Sequence, residues 1–155
     1  MIILGIDPGF SVTGYSVLQK QKNQVIILDY GFLKLPTDQT LQVRVGIFYD
    51  TFAQKIKQHQ VSVIALETSF LGKNAQTFLK LGYLRGILYL LSSQHNLEIF
   101  EFAPRQVKQT VTGYGAADKE QVAKVLSMLF PQIPQDLKAD VTDAIAISLC
   151  GLWSV

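Results

Sequence analysis

Met1-Ile-Ile-Leu-Gly-Ile-Asp-Pro-Gly9 opens the chain with an apolar run that stops at an acid. A run without polar alternation reads as a strand buried on both faces. Pro8 lacks the N–H that a ladder needs and Gly9 permits a turn, so the strand ends there. Asp7 then sits at the tip of a central strand, where interior meets solvent. Asp before Pro-Gly is also ordinary turn chemistry. These nine residues alone do not separate a plain turn from a functional carboxylate, and the decision rests on whether other acids reach the same place.

Working outward, Val12–Leu18 alternates and is rich in β-formers, so it reads as a second strand, antiparallel to the first across a short connection. A polar turn over Gln19–Gln24 leads to a third strand, Val25–Leu35, with Gly31 as a bulge candidate. Pro36-Thr-Asp38 is expected to open a helix in which Leu41, Val45, Phe48, Phe52 and Ile56 recur at helical spacing, ending near Gln58. Val61–Glu67 is a short apolar strand that again ends at an acid, and the helical crossover before it predicts that it runs parallel to the first. Asn74 is a candidate cap for a helix from Ala75 to about Ser93. Glu98–Phe102 is a fifth strand. Pro104 suits the first position of a short helix through Val111. Asp118 caps a helix with Val122, Val125, Leu126 and Leu129 on one stripe, and a last helix runs from about Ala139 to the end. These elements predict one domain over residues 1–155: an α/β fold whose five-stranded mixed sheet, an antiparallel meander followed by parallel strands, has helices on both faces.

Composition narrows the function classes. Hydrophobic residues make up 48% and charged residues 17%, so the chain has a core and is not a disordered tail. No apolar run is long enough for a bilayer and no signal-peptide pattern is present, which with a single cysteine, Cys150, predicts a reducing cytoplasm and no membrane association. The net charge of +2 does not by itself argue for nucleic acid. With four of the 12 acids gathered in one site, however, 8 remain against 14 basic residues, leaving six positive charges in excess elsewhere.

Asp7 and Glu67 end strands that should be parallel neighbours, and open α/β sheets place their sites at such carboxyl ends. Asp140 and Asp143 are three apart on a helix and share one face. Taken singly, Glu67 is also a solvated strand end and Asp140 also a helix cap. Together the four repel one another unless a cation binds them. Oxygen ligands select Mg²⁺ or Mn²⁺, and His59 and His95 are too isolated for a zinc site. Two divalent ions held by carboxylates are a standard device for phosphodiester hydrolysis. The stretch Leu81–Leu91 is apolar nearly all round, which asks for a second buried face: a dimer partner, or a position wedged inside the monomer.

Gly5-Ile-Asp-Pro-Gly9 with Thr13-Gly-Tyr15, Phe70 with Lys73-Asn-Ala75, Arg105-Gln-Val-Lys-Gln-Thr-Val111, and Asp140 with Asp143-Ala-Ile-Ala146 resemble the RuvC-type Holliday junction resolvases, from residue 2 to about residue 149. The resemblance implies a ribonuclease-H-like fold and a homodimeric endonuclease that nicks four-way DNA junctions symmetrically during recombination and repair. It puts Asp7, Glu67, Asp140 and Asp143 on the family's catalytic acid positions as ligands of Mg²⁺, two ions per site, with Mn²⁺ able to substitute. Lys108 and Lys119 match lysines near the scissile phosphate. Phe70 matches an aromatic that engages a base, and Lys73, Asn74 and Arg105 complete a DNA-binding set. Partnership with the RuvA and RuvB branch-migration proteins, and cutting at short T-containing sites, are implied too. Thr68 and Phe10 depart from the residues most members carry there, with sequence preference the property most exposed to the change. The end at Val155, without a basic tail, would shift junction binding onto the loops.

A non-cleaving junction-binding protein is a second reading, which the presence of all four acids opposes. An actin-like or sugar-kinase ATP-binding fragment is a third, since that class also begins with Gly-Ile-Asp-x-Gly, but it needs a second lobe.

Overall fold

The computed structural model describes residues 1–68, 72 and 74–155. Strands β1 (Ile2–Asp7), β2 (Val12–Gln21) and β3 (Gln24–Lys34) form the meander. Helix α1 (Leu41–His59), strand β4 (Val63–Glu67), helix α2 (Ala75–His95) and strand β5 (Glu98–Phe102) follow, then helices α3 (Pro104–Thr112), α4 (Lys119–Leu129) and α5 (Ala139–Trp153). The sheet order is β3-β2-β1-β4-β5, with β1 antiparallel to β2 and parallel to β4. The mixed five-stranded sheet is therefore the one the sequence predicts.

Both sheet faces are buried, which explains why β1 shows no polar alternation. Ile3 belongs to a core with Val63, Ala65 and residues of α3, α4 and α5. Leu4 and Ile6 belong to a second core, on the other face, with Ile64, Leu66 and residues of α1 and α2. Period-two alternation then puts Asp7 on the α5 side, two residues beyond Gly5.

Four local readings change. α1 begins at Leu41 and not at Pro36, because Thr40 caps it: its hydroxyl accepts from the Val43 N–H at 3.4 Å. β2 extends to Gln21, so only Lys22 and Asn23 turn the hairpin, and β4 begins at Val63. The register slip in the β2–β3 ladder falls between Val17 and Leu18, which pair with Asp29 and Ile27, so Leu28 is the extra residue and not Gly31. Gly31 pairs with Tyr15, and a Cβ there would stand 2.9 Å from the Tyr15 hydroxyl, so its smallness makes room for that ring. Of the two positions the sequence left open for the apolar helix, a partner's face or a place wedged inside the monomer, α2 does not take the second among the described residues. It buries Leu84, Leu88 and Leu91, while Leu79, Tyr83 and Leu90 stay exposed.

Candidate active site

The site is assembled by register. Ile6 pairs with Leu66 across the parallel β1–β4 ladder, so the next residues along, Asp7 and Glu67, lie side by side at the strand ends. The turn after Asp7 is fastened by Thr13, whose buried hydroxyl accepts from the Gly9 N–H (3.1 Å) and donates to the Gly9 carbonyl (2.8 Å). Glu67 is fastened from behind by Arg85 of α2, which donates to the Glu67 carbonyl at 2.8 Å and pairs with Glu101.

α5 brings the other two acids because the sheet lets it come very close. A Cβ on Gly14 would lie 2.0 Å from the Asp140 carbonyl oxygen, and one on Gly5 would lie 2.6 Å from that of Ala144. No side chain fits between sheet and helix at either point. Ser16 Oγ donates to the Ala144 carbonyl at 3.0 Å and meets Ser148 Oγ at 2.7 Å, so the polar groups buried in this seam are paired. Lys138 occupies the cap position of α5 without a side-chain bond, which places Asp140 inside the first turn and not at the cap. There the helix dipole favours a negative charge.

The electrostatics are those of crowded acids. Burial, followed by Asp143, Asp140 and Glu67, pushes the Asp7 carboxyl up to about 7 from its ordinary 3.8. Burial and Asp143 also raise Glu67, against the pull of Lys108 and Lys119. Burial raises Asp143, with Asp140 adding to it and the two lysines opposing. Glu67, Asp143, Lys108 and Lys119 line one cleft, whose floor includes Val107 and Ala146. Asp7 and Glu67 line the adjoining hollow with Thr68 and Arg85. The Lys119 ammonium stands 4.0 Å from an Asp143 oxygen, with its side chain 78% exposed. At that exposure the pair does little for stability, and its effect is on the local field.

This donor set suits a hard divalent ion in kind and charge: carboxylates only, partly desolvated, mutually repelling. Among the described residues, no three acid, histidine or cysteine side chains stand close enough to enclose one ion as they are placed.

The structure thus brings Asp7, Glu67, Asp140, Asp143, Lys108 and Lys119 together. Asn74 caps α2, its side-chain oxygen accepting from the N–H groups of Gln76 and Thr77. Arg105 lies against Gly115 and is not among the residues lining the acid cleft. Phe70 and Lys73 lie outside the described residues. Sequence reasoning missed Arg85, although it is the only charged residue in the apolar stretch Leu81–Leu91, a signal that the position has a polar task. It also left Thr13 and Gly14 without a role.

The chain matches the family model described as Crossover junction endodeoxyribonuclease RuvC over residues 3–151. It is 40% identical to the protein of that name from Chloroherpeton thalassium, over 97% of this chain and 81% of the relative. It is 37% identical to the one from Alkaliphilus oremlandii, over 97% and 92%. Among solved structures, T. thermophilus RuvC in complex with a Holliday junction substrate superposes with a TM-score of 0.93 at 23% identity, covering 99% of this chain and 94% of that one. The yeast mitochondrial Holliday junction resolvase gives 0.70 at 14% identity, covering 96% and 76%. The shared fold is the ribonuclease-H-like resolvase fold.

Proposed function

The chain belongs to the crossover junction endodeoxyribonuclease RuvC family, and on that footing we propose that it resolves four-way DNA junctions by paired nicks, serving recombination and repair in the cytoplasm as a single nuclease domain. The observation that carries the reading is the convergence of Asp7, Glu67, Asp140 and Asp143 from β1, β4 and α5, with Asp7 pushed up to about 7 by burial and then by the neighbouring acids. Acids that destabilise one another on a rigid frame are a site awaiting positive charge.

Asp7, Glu67, Asp140 and Asp143 are the residues that would hold Mg²⁺ or Mn²⁺, in a two-ion arrangement that supplies a hydroxide nucleophile and charge neutralisation at the phosphate. Around that centre the chain does the rest. Arg85 and Thr13 fix the backbone behind the two strand-end acids. Lys108 and Lys119 place positive charge in the cleft, where a phosphoryl group gains negative charge as it reacts. Phe70, Lys73, Asn74 and Arg105 are proposed to contact the DNA around the crossover.

A two-fold substrate asks for two sites. The exposed side of α2 carries Leu79, Tyr83 and Leu90, and among the described residues no atom lies within 4 Å of a Cβ on Gly82 or Gly86. Small residues flanked by large apolar ones favour close helix approach, and this face supports a homodimer. Assembly with RuvA and RuvB follows from the family reading alone. The reading is tested by incubating the protein with a synthetic four-way junction and mapping products at nucleotide resolution. Symmetric nicks with 5′-phosphate ends, dependent on Mg²⁺ or Mn²⁺ and lost in Asp7→Asn, are expected. Junction binding without cutting across a series of divalent metals would overturn it.

A further inference from the structure

On the other side of Asp140 lies a second pocket that none of these roles uses. Phe10, Ser11, Thr37, Arg44, Thr77 and Lys80 line it, and Asp140 is its link to the acids. Its floor is a built cation. The Arg44 guanidinium stacks 4.1 Å from the centroid of the Phe10 ring, and Nη2 donates to the Phe10 carbonyl at 2.9 Å. Nε of Arg44 is buried and has no hydrogen-bond partner among the described residues. The Lys80 ammonium stands 5.6 Å from the same ring. Among the described residues, neither cation is in an ion pair.

A buried N–H without a partner is costly, and a guanidinium held by stacking and one carbonyl bond has little freedom left to lose on binding. Two unpaired cations beside hydroxyls on Ser11, Thr37 and Thr77 match a phosphate oxygen set. The location selects the source. Asp140 belongs both to the acids and to this pocket, so a strand with one phosphate at the acids can set a neighbouring one here.

We propose that the Arg44–Phe10–Lys80 pocket binds a backbone phosphodiester of the cut strand, next to the phosphate that reacts. Phe10 is the platform that holds Arg44 in place, which gives this chain's departure at that position a use. The proposal rests on the nuclease reading above.

The test uses the whole chain and a synthetic junction without divalent metal, so that binding is read apart from cutting. Arg44→Gln and Lys80→Gln are each expected to weaken binding by about five- to tenfold and to lower the slope of log affinity against log salt by about one. A scan of single neutral methylphosphonates through the cut strand should find one position that weakens the wild type by the same factor and adds nothing to the loss in the variants. Inorganic phosphate at matched ionic strength should not displace the junction. If Arg44→Gln does not fold, Lys80→Gln and the scan decide, because Lys80 is an exposed residue. Affinity and salt slope unchanged in Lys80→Gln, with every methylphosphonate equally harmful to wild type and variant, would overturn the proposal. A wild type that binds and cuts normally while both variants match it sinks this inference alone. A wild type that binds no junction sinks the nuclease reading as well.

Discussion

Two helices of this chain are apolar round most of their circumference and meet opposite fates. α5 is buried at Val141 and from Ala144 to Leu152. α2 buries only Leu84, Leu88 and Leu91 and leaves Leu79, Tyr83 and Leu90 in solvent. Apolar content was the same signal in both. What separates them is the surface each lies against. Facing α5, the sheet offers Gly5, Gly14 and Ser16, whose hydroxyl pairs with Ser148 of the helix, so the helix sinks until backbone meets backbone, and α3 and α4 close over it. Facing α2 there is one layer of large side chains, and among the described residues its outer side stays exposed. Apolar periodicity reports that a surface is to be buried, and it does not report what buries it.

The largest test of that contrast concerns the acids that α5 completes. Asp7→Asn should reduce junction cleavage by about 10³-fold or more in single-turnover assays. It should also make the metal-free protein more stable above pH 7, since it removes a crowded charge. The pH dependence follows. Asp7 has a folded value of about 7 against an ordinary 3.8, so the folded state holds a proton that the unfolded state releases. Its contribution to stability is complete below about pH 4 and is lost as pH rises through 7. Thermal melts of the metal-free wild type should fall across that window, Asp7→Asn should flatten the fall, and added Mg²⁺ should restore the wild type above pH 7. A rising or flat wild-type profile between pH 4 and 7 would contradict the crowding.

The next effect sets the two helix surfaces against each other with one kind of substitution. Gly14→Ala should destabilise by about 1–3 kcal/mol, because its Cβ meets a carbonyl that belongs to the α5 backbone. It should also slow cleavage by displacing Asp140 and Asp143. Gly82→Ala meets no described atom of its own chain within 4 Å, so at concentrations where the chain is monomeric it should leave the melting temperature unchanged or raise it, since Ala favours helix by roughly 0.5–1 kcal/mol. Equal losses from both would erase the distinction drawn here. On the open face, Leu90→Arg should leave the fold intact by circular dichroism and shift sedimentation from dimer to monomer. A dimer that survives it is not built on α2.

The smallest effect on stability is expected at Lys119. Its side chain is 78% exposed, so Lys119→Ala should move the melting temperature by less than a degree or two while slowing cleavage about 10- to 100-fold. Denaturation and single-turnover kinetics on the same preparation separate the two.

Much of the site was legible because it lies where elements end. Asp7 and Glu67 each terminate an apolar run, and a helical crossover between their strands fixes them as parallel. Asp140 and Asp143 show themselves by helical spacing. Other features were not legible, for physical reasons. The bulge at Leu28 depends on how β2 and β3 settle against each other, and Gly31 offered a false marker because its smallness serves the Tyr15 ring. The start of α1 turned on which of several polar residues, Thr40 in the event, was free to cap it. Arg85 reads locally as one charge in an apolar helix, and its target, the Glu67 carbonyl, is on another element.

By itself, the amino-acid sequence determined which residues carry charge at strand ends and helix faces, and hence the chemistry the chain offers. Those are properties of period and punctuation, written within a few residues of one another. The tertiary structure alone decided how close α5 comes to the sheet, how far Asp7 is driven from ordinary carboxylate behaviour, and that Arg44 and Lys80 both stand near the Phe10 ring. These depend on distances of a few ångströms between segments remote in the chain, where packing sets the separation and Coulomb's law sets the consequence.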